Sequence, residues 1–197
     1  MSIEKFQKLV STVVPLPMEN VDTDQIIPAR FLKAVERKGF GDNLFRDWRY
    51  KKDGTPNPDF VLNDPRFSGQ ILVAGKNFGS GSSREHAAWA IYDAGFRAVV
   101  SSFFADIFKS NVLNCGLLPV QVPEDFLDEI FNTVNTYAGA QFEIDLENQT
   151  IRNINAATFV KFDINPYKKQ CLLKGLDDID FLLILKEEIT AFEISRN

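Results

Sequence analysis

The sequence predicts an α/β fold, because short buried-type strands alternate with helical segments through its middle. Apolar runs at residues 70–74, 97–102 and 117–122 have the length and composition of buried strands. The first segment between these runs predicts a helix to about Asp93 that Gly95 stops, and the second carries apolar residues at helical spacing. Strands and helices that alternate with short connections are typical of a parallel sheet covered by helices. We therefore expect a parallel α/β layer at the centre of the chain.

The segments before this layer predict a further strand and a long loop. Residues 6–17 (FQKLVSTVVPLP) alternate well enough to predict one strand that ends at Pro15 and Pro17. From about residue 34 to residue 68, charged and turn-forming residues predominate, with aromatic residues scattered among them. Connections of this length are usually functional, so we expect a long irregular excursion here.

The last third of the chain predicts an antiparallel portion followed by a helical tail. A helix, a hairpin, a strand and the tail are expected at 123–137, 141–154, 158–164 and about 166–197. The hairpin is expected to turn at Asn148 and Gln149, and the tail to divide into two amphipathic helices near Gly175. We expect residues 1–197 to form a single domain.

Charge and composition argue against several classes of protein. The chain has 197 residues and a formal net charge of -5, whereas a nucleic-acid-binding surface needs an excess of Lys and Arg. No apolar run is long enough to span a bilayer, and the first residues lack the pattern of a signal peptide. The two cysteines, Cys115 and Cys171, are too far apart in sequence for a metal knuckle or a disulfide framework. We expect a cytoplasmic protein without nucleic-acid or membrane partners.

The most informative motif is GKNFGSGSSREHAAW, residues 75–89, in which a glycine-serine loop runs directly into a helix. Ser82 and Glu85 have the spacing of a capping box, which predicts Ser82 as the N-cap. The free N–H groups of residues 83–85 and the fork of Arg84 would then form a site for an anion. The motif fits neither the Walker A pattern nor the glycine pattern of dinucleotide-binding loops well. A carboxylate is therefore the favoured anion, and phosphate is the second choice. A well-capped helix without a ligand is the alternative.

Three stretches together resemble a known family. GSGSSREHAA, AGFRAVVSSFFADIFKSNVLNCGLLPV and the earlier VDTDQIIPARFL are similar to the swivelling domain of the aconitase superfamily. Within that superfamily they resemble the small subunits of the 3-isopropylmalate dehydratases, most strongly from Phe6 to Val122. The resemblance implies an aconitase-like swivelling β/β/α domain that closes over an active site belonging mostly to a separate large subunit.

The resemblance also implies an activity and a cofactor. Such enzymes are hydro-lyases that interconvert 2-isopropylmalate and 3-isopropylmalate through 2-isopropylmaleate, in leucine biosynthesis. A [4Fe–4S] cluster on the large subunit supplies the Lewis acid, so this chain is expected to bind no metal and to be active only with its partner. Two distant cysteines and one histidine could not hold such a cluster here.

Residue roles follow from the matching positions of the motifs. The resemblance implies that Ser82 and Asp24 are catalytic, with Ser82 as the base and Asp24 orienting a polar partner. It implies that Ser83 and Arg84 bind a carboxylate of a small hydroxy-dicarboxylic acid. A serine hydroxyl is a weak base at neutral pH, and the helix N-terminus with Arg84 could stabilise its alkoxide. Asp22 and Thr23 are expected to hold the loop structure.

The segment after Asp24 is expected to lie beside the variable arm of the substrate. Four apolar residues could cover an isopropyl group, and we predict them as a substrate-specificity loop: Ile26, Ile27, Phe31 and Leu32. Cationic residues lie close to them in sequence, and an apolar pocket separates homologous substrates by only ~1–3 kcal/mol per methylene. The activity of a related dehydratase, of the homoaconitase or methylmalate/citraconate type, therefore remains an alternative.

The chain could be a non-catalytic anion-binding module, as the glycine-serine loop alone would allow. His86, the only histidine, is interpreted as a structural residue one turn into the helix rather than as a proton carrier.

Overall fold

The computed structural model describes residues 3–32, 39–81 and 84–195. Its strands are β1 (Lys8–Ser11), β2 (Val13–Leu16), β3 (Ile71–Ala74), β4 (Ala98–Ser101), β5 (Leu118–Gln121), β6 (Phe142–Asp145), β7 (Thr150–Asn153) and β8 (Thr158–Lys161). Its helices are α1 (Thr23–Ile26), α2 (Arg46–Arg49), α3 (Glu85–Asp93), α4 (Asp106–Asn114), α5 (Glu124–Thr136), α6 (Pro166–Lys174), α7 (Asp178–Ile184) and α8 (Lys186–Ser195).

The predicted parallel layer is present as a four-stranded sheet in the order β2-β3-β4-β5. All its neighbouring strands run parallel, and α3 and α4 form the connections between β3, β4 and β5. The second sheet is antiparallel, in the order β1-β6-β7-β8. The predicted hairpin is its β6–β7 pair, and Gln149 in the turn takes a left-handed φ of 53°.

The first predicted strand is in fact two strands that belong to different sheets. β1 pairs with β6 in the antiparallel sheet, whereas β2 pairs with β3 in the parallel sheet, so the chain changes sheet at Thr12. Pro15 does not end β2 but lies within it, opposite Val73. Proline is tolerated there because β2 is an edge strand, where one side of the backbone needs no partner.

The two faces of the parallel sheet pack against different layers. Leu72 and Val99 point to the face covered by α3 and α4, whereas Ile71, Val73 and Val100 point to the antiparallel sheet and α5. Because side chains alternate along a strand, β2, β3 and β4 contribute to both cores, whereas Leu118 and Val120 of β5 belong to the core on the side of the antiparallel sheet. The layers are therefore antiparallel sheet, parallel sheet and helices, which confirms the expected β/β/α architecture.

The segment between α1 and β3 has little regular structure but is anchored to the core. Phe40, Leu44, Phe45 and Phe60 are all less than 10% exposed and belong to the core on the α3–α4 face. Residues 34–38 of the predicted excursion lie outside the described residues. Aromatic side chains thus anchor residues 39–68 to the core.

The tail contains three helices, α6, α7 and α8, rather than the two that the sequence predicts. Gly175 ends α6 in the left-handed conformation, and Asp177 caps α7 with its side chain. Leu172 of α6 is buried, whereas the described side chains of α8 are all exposed. Within the described ranges, no helix is long and apolar enough to cross a bilayer.

Candidate functional site

The two sequence motifs meet at the carboxyl ends of β2 and β3. Because these strands are parallel neighbours, the loops that follow them leave the sheet at the same edge. Backbone hydrogen bonds join the loops: the N–H of Gly79 donates to the carbonyl of Val21 at 2.8 Å, and the N–H of Thr23 donates to the carbonyl of Ser80 at 2.9 Å. The edge of the parallel sheet therefore brings together segments that are about sixty residues apart.

Side chains that the sequence reasoning missed strengthen this junction. The amide of Asn77 donates to the side-chain oxygen of Asn20 at 2.8 Å, and both residues have left-handed φ angles. The buried hydroxyl of Ser101, at the end of β4, donates to the carbonyl of Gly75 at 2.8 Å. The asparagines among turn-forming residues could have indicated these two turns, because asparagine tolerates the left-handed region better than most residues.

The short helix α1 is fixed by a capping box that starts at Asp22. The Asp22 side chain accepts from the N–H of Gln25, and the Gln25 side chain accepts from the N–H of Asp22, both at 2.8 Å. Thr23 is buried beside this turn. Both residues therefore hold the loop structure and leave Asp24 as the exposed acid of the motif.

Asp24 and Arg84 form a two-point ion pair across the junction. Nη1 of Arg84 donates to Oδ1 of Asp24, and Nη2 donates to Oδ2 at 2.8 Å. The Arg84 side chain is 18% exposed, whereas that of Asp24 is 55% exposed. The Arg84 guanidinium holds the pKa of Asp24 below its ordinary value, with a smaller contribution from the backbone N–H of Ala29.

Among the described residues, no other group accepts from the donors of Arg84 that this pair leaves over. Arginine carries five N–H donors, and the ion pair uses one on each terminal nitrogen. The edge formed by Nε and one terminal nitrogen can donate to a second carboxylate in the same two-point manner. Arg84 can therefore hold Asp24 and an external carboxylate at the same time.

The start of α3 differs from the prediction. The helix begins at Glu85, and its N-cap is Arg84 in an extended conformation without a side-chain cap. The prediction of Ser82 as the N-cap was therefore wrong by two residues. The extended backbone of Arg84 places its side chain ahead of the first turn, where it reaches Asp24. Ser82 and Ser83 themselves lie outside the described residues.

The four residues of the predicted specificity loop divide into two groups. Ile26 and Ile27 are 0% exposed and belong to the core, so they cannot cover a ligand in this conformation. Phe31 and Leu32 are partly buried and pack against that core from outside. Ile26 and Ile27 are buried because α1 packs against α2 and α3. Only the second two can contribute to a ligand surface.

His86 lies among aromatic side chains. Its ring centroid is 4.6 Å from that of Trp89 and 5.5 Å from that of Phe40. Phe40 is buried and comes from the segment before α2. The histidine therefore helps to pack this segment onto α3, in keeping with the structural interpretation.

The cysteines are not arranged for a metal cluster. Cys115 lies at the end of α4 and Cys171 lies within α6, and both are buried. Burial raises the pKa of the Cys171 thiol, which disfavours the thiolate that an iron–sulfur cluster needs. Over the described residues, no three His, Cys, Asp or Glu side chains group together as metal ligands. The residues present do not fit a [4Fe–4S] cluster.

The layered fold and the paired motif loops define the class of protein. The family model described as "Aconitase C-terminal domain" matches residues 3–125 of the chain. This match includes both sheet-edge loops and the parallel layer that positions them.

Curated relatives and a solved structure give the branch within that class. The chain is 62% identical over 191 residues to a 3-isopropylmalate dehydratase small subunit from Cytophaga hutchinsonii, covering 97% of this chain and 95% of the relative. It is 59% identical over 194 residues to the small subunit from Christiangramia forsetii, covering 98% and 95%. The structure of 3-isopropylmalate dehydratase from Methanocaldococcus jannaschii matches with a TM-score of 0.66 at 25% identity, covering 96% of this chain and 99% of that one. The chain belongs to the aconitase C-terminal domain family, in the branch of the 3-isopropylmalate dehydratase small subunits.

Proposed function

We propose that the chain is the small subunit of a heteromeric hydro-lyase that interconverts 2-isopropylmalate and 3-isopropylmalate through 2-isopropylmaleate, in leucine biosynthesis. The partner is the large subunit of the enzyme. We further propose that the chain acts in the cytoplasm as one swivelling domain, which carries the sheet-edge loops toward a substrate held between the two subunits.

The observation that carries the proposal is the ion pair of Asp24 and Arg84. A partly buried guanidinium, held by an acid from the neighbouring loop and with donors that bond to no other described residue, is suited to bind one carboxylate of a dicarboxylic acid. Asp24 restricts the rotamers of Arg84, so less conformational entropy is lost when a substrate binds. We therefore assign Arg84 to substrate binding and Asp24 to its orientation.

The serines complete the proposed machinery. Ser82 takes the proton from the substrate carbon and returns it to the neighbouring carbon or to the same one, while Ser83 donates to the carboxylate. The positive charge of Arg84, two residues away, favours the alkoxide form of Ser82 over the hydroxyl. The start of α3 adds a positive dipole end to the same region.

The large subunit is proposed to hold the [4Fe–4S] cluster. When bound there, the cluster supplies a Lewis-acidic iron for the substrate hydroxyl. Residues of this chain bind the carboxylate, orient the substrate and move the proton. The reaction thus needs both polypeptides, and we expect this chain to be inactive alone.

Phe31 and Leu32 are the proposed apolar cover for the isopropyl group. They are the two residues of the predicted specificity loop that remain partly exposed. A cover of this size discriminates only weakly between homologous substrates, so homoaconitase-type and methylmalate-type activities are tested alongside the main one.

The proposal is tested by combining the purified chain with the cluster-bearing large subunit from the same cell. Interconversion of 2-isopropylmalate and 3-isopropylmalate, with 2-isopropylmaleate released as an intermediate, is the expected result. Homocitrate and methylmalate serve as competing substrates in parallel assays. Absence of turnover with all three acids would contradict the function, and binding of a dicarboxylate by the chain without any turnover by the two-subunit enzyme would favour the anion-binding module.

A further inference from the structure

A second positively charged feature lies next to the proposed site, in a surface cleft of about 510 Å³. We call it the basic cleft, and its lining is Arg30, Phe31, Arg46, Asp47, Tyr50, Lys51, Lys52 and Gly54. Phe31 belongs both to this cleft and to the proposed specificity loop. Neither the sequence motifs nor the ion pair of Asp24 and Arg84 accounts for the four cationic residues.

The cleft is positive in a protein that is otherwise acidic. Its lining carries four Lys or Arg and one Asp, a formal charge of +3, whereas the whole chain carries -5. Arg30 is paired with Asp47, which lowers the pKa of that carboxyl. Arg46 also lowers the pKa of the Asp47 carboxyl through its charge, and Lys51 and Lys52 form no ion pair with another described residue. Four cations against one acid leave a net charge of +3 to act on a ligand.

Aromatic rings position the two arginines, and a backbone turn fixes the main chain at the two lysines. The guanidinium of Arg46 lies 3.9 Å from the ring centroid of Tyr50, and that of Arg30 lies 4.7 Å from that of Phe31. The N–H of Lys51 donates to the carbonyl of Thr55 at 2.8 Å, which closes a turn over the two lysines. The two guanidinium groups thus lose less conformational freedom when they bind an anion.

The cleft lies within electrostatic reach of the Asp24–Arg84 pair. The backbone N–H of Ala29 interacts with the Asp24 carboxylate, and Arg30 is the next residue. With 3.8 Å between successive Cα atoms, the backbone of Arg30 lies within roughly 10 Å of that carboxylate. This separation is comparable to the Debye length of ~10 Å at 0.1 M salt. An anion in the cleft would therefore still feel the field at the proposed active site.

We propose that the basic cleft is an entry site for the dicarboxylate substrate, which is held there before it reaches Arg84. The inference rests on the proposed function, because it names the same dianion as ligand. A cleft of one charge sign raises the local concentration of an oppositely charged ligand. The cleft therefore acts on the capture of substrate and leaves the chemical step unchanged.

The test uses the reconstituted two-subunit enzyme with Lys51→Gln and Lys52→Gln combined. The matched control is Lys174→Gln with Lys186→Gln, which removes the same charge from exposed positions on the helical tail. At ~0.02 M salt we expect a roughly 3- to 10-fold rise in KM for 2-isopropylmalate with an unchanged kcat, and little change in the control. At ~0.5 M salt the difference between variant and wild type should disappear.

Two results would overturn the entry site. One is a KM that matches the control at every salt concentration while the enzyme turns over normally, which leaves the proposed function intact. The other is a loss of subunit association in the lysine variant, measured by analytical ultracentrifugation, which would make the cleft a contact for an acidic surface of the partner. A wild-type enzyme without any turnover would instead contradict the proposed function itself.

A binding measurement on the full-length small subunit supports or overturns the same idea without catalysis. Titration with 2-isopropylmalate should shift the amide NMR signals of residues 50–54, and inorganic phosphate should compete. The uncharged diethyl ester of the acid should not shift them. Equal shifts with the ester, or none with the dianion at millimolar concentration, would contradict an anion site.

Discussion

Gly79 and Phe108 are in such close contact that no side chain fits between them. A Cβ placed on Gly79 would lie 2.1 Å from Cγ of the Phe108 ring, and Gly79 has a φ of +79°. Phe108 is 2% exposed and stacks edge-to-face on Phe78. The glycine-serine loop is therefore shaped by α4 behind it as well as by its own flexibility.

We predict that Gly79→Ala destabilises the protein by about 2–5 kcal/mol, from left-handed strain and from overpacking against a ring that cannot move. The measurement is urea unfolding followed by circular dichroism. Because the loop would shift, turnover by the two-subunit enzyme should fall as well.

The matched control is Gly95→Ala, which has a φ of +99° but no atom within 4 Å of the added Cβ. This variant should show only the strain, about 1–2 kcal/mol. Equal losses in both variants would show that Phe108 does not restrict the loop.

Asp24→Asn should raise KM for 2-isopropylmalate by roughly 10-fold or more, because Arg84 loses the charged partner that orients it. Its effect on the free energy of unfolding should stay below about 1 kcal/mol, since the Asp24 carboxylate is largely exposed. Steady-state kinetics and thermal unfolding separate the two effects. A large loss of stability without a change in KM would make the pair purely structural.

The same ion pair predicts a pH dependence of stability. The folded-state pKa of Asp24 is lowered below 3.8 by Arg84. The contribution of the pair is therefore fully present above pH ~4 and is lost as the pH falls through the folded-state pKa. The small stability difference between wild type and Asp24→Asn should shrink as the pH falls below 3.8 and vanish once the pH is below the folded-state pKa. A difference that instead grows with acidity would have the wrong sign for this pair.

Ser82→Ala should abolish turnover with little effect on assembly of the two subunits, because it removes the proposed base.

Arg84→Lys should mainly weaken substrate binding, since an ammonium cannot form the two-point contact of a guanidinium. Kinetics and co-purification with the large subunit measure both. Near-normal rates for Ser82→Ala would remove the base from the mechanism, whereas Ser83→Ala serves as the neighbouring control with a KM effect only.

Truncation after Leu185 should leave the melting temperature of the isolated chain within about 2 °C of the full-length value. The described side chains of α8 are exposed, so its removal uncovers little apolar surface. The control is Leu172→Ala in α6, a 1% exposed residue whose truncation should cost about 2–4 kcal/mol. A large drop on truncation would show that α8 packs on the domain in solution.

Local patterns predicted the elements of this fold with few errors. Apolar runs and turn residues placed the parallel strands, the hairpin and most helices, because these signals depend on residues close in sequence. The errors fell where distant contacts decide. The change of sheet at Thr12 depends on β1 finding β6, more than 120 residues later. The start of α3 at Glu85 accompanies the contact of Arg84 with Asp24.

The sequence by itself determined the order of strands and helices, the glycine-serine loop and the family to which the chain belongs. Only the tertiary structure decided that Asp24 pairs with Arg84 and that Ile26 and Ile27 are buried in the core. It also decided that the basic cleft lies beside the proposed substrate site. The physical reason is that the apolar pattern that predicts a helix or a strand depends on residues that are neighbours along the chain. A residue's partner across a sheet edge is set by which strands lie side by side, and a sequence pattern does not encode that neighbour directly.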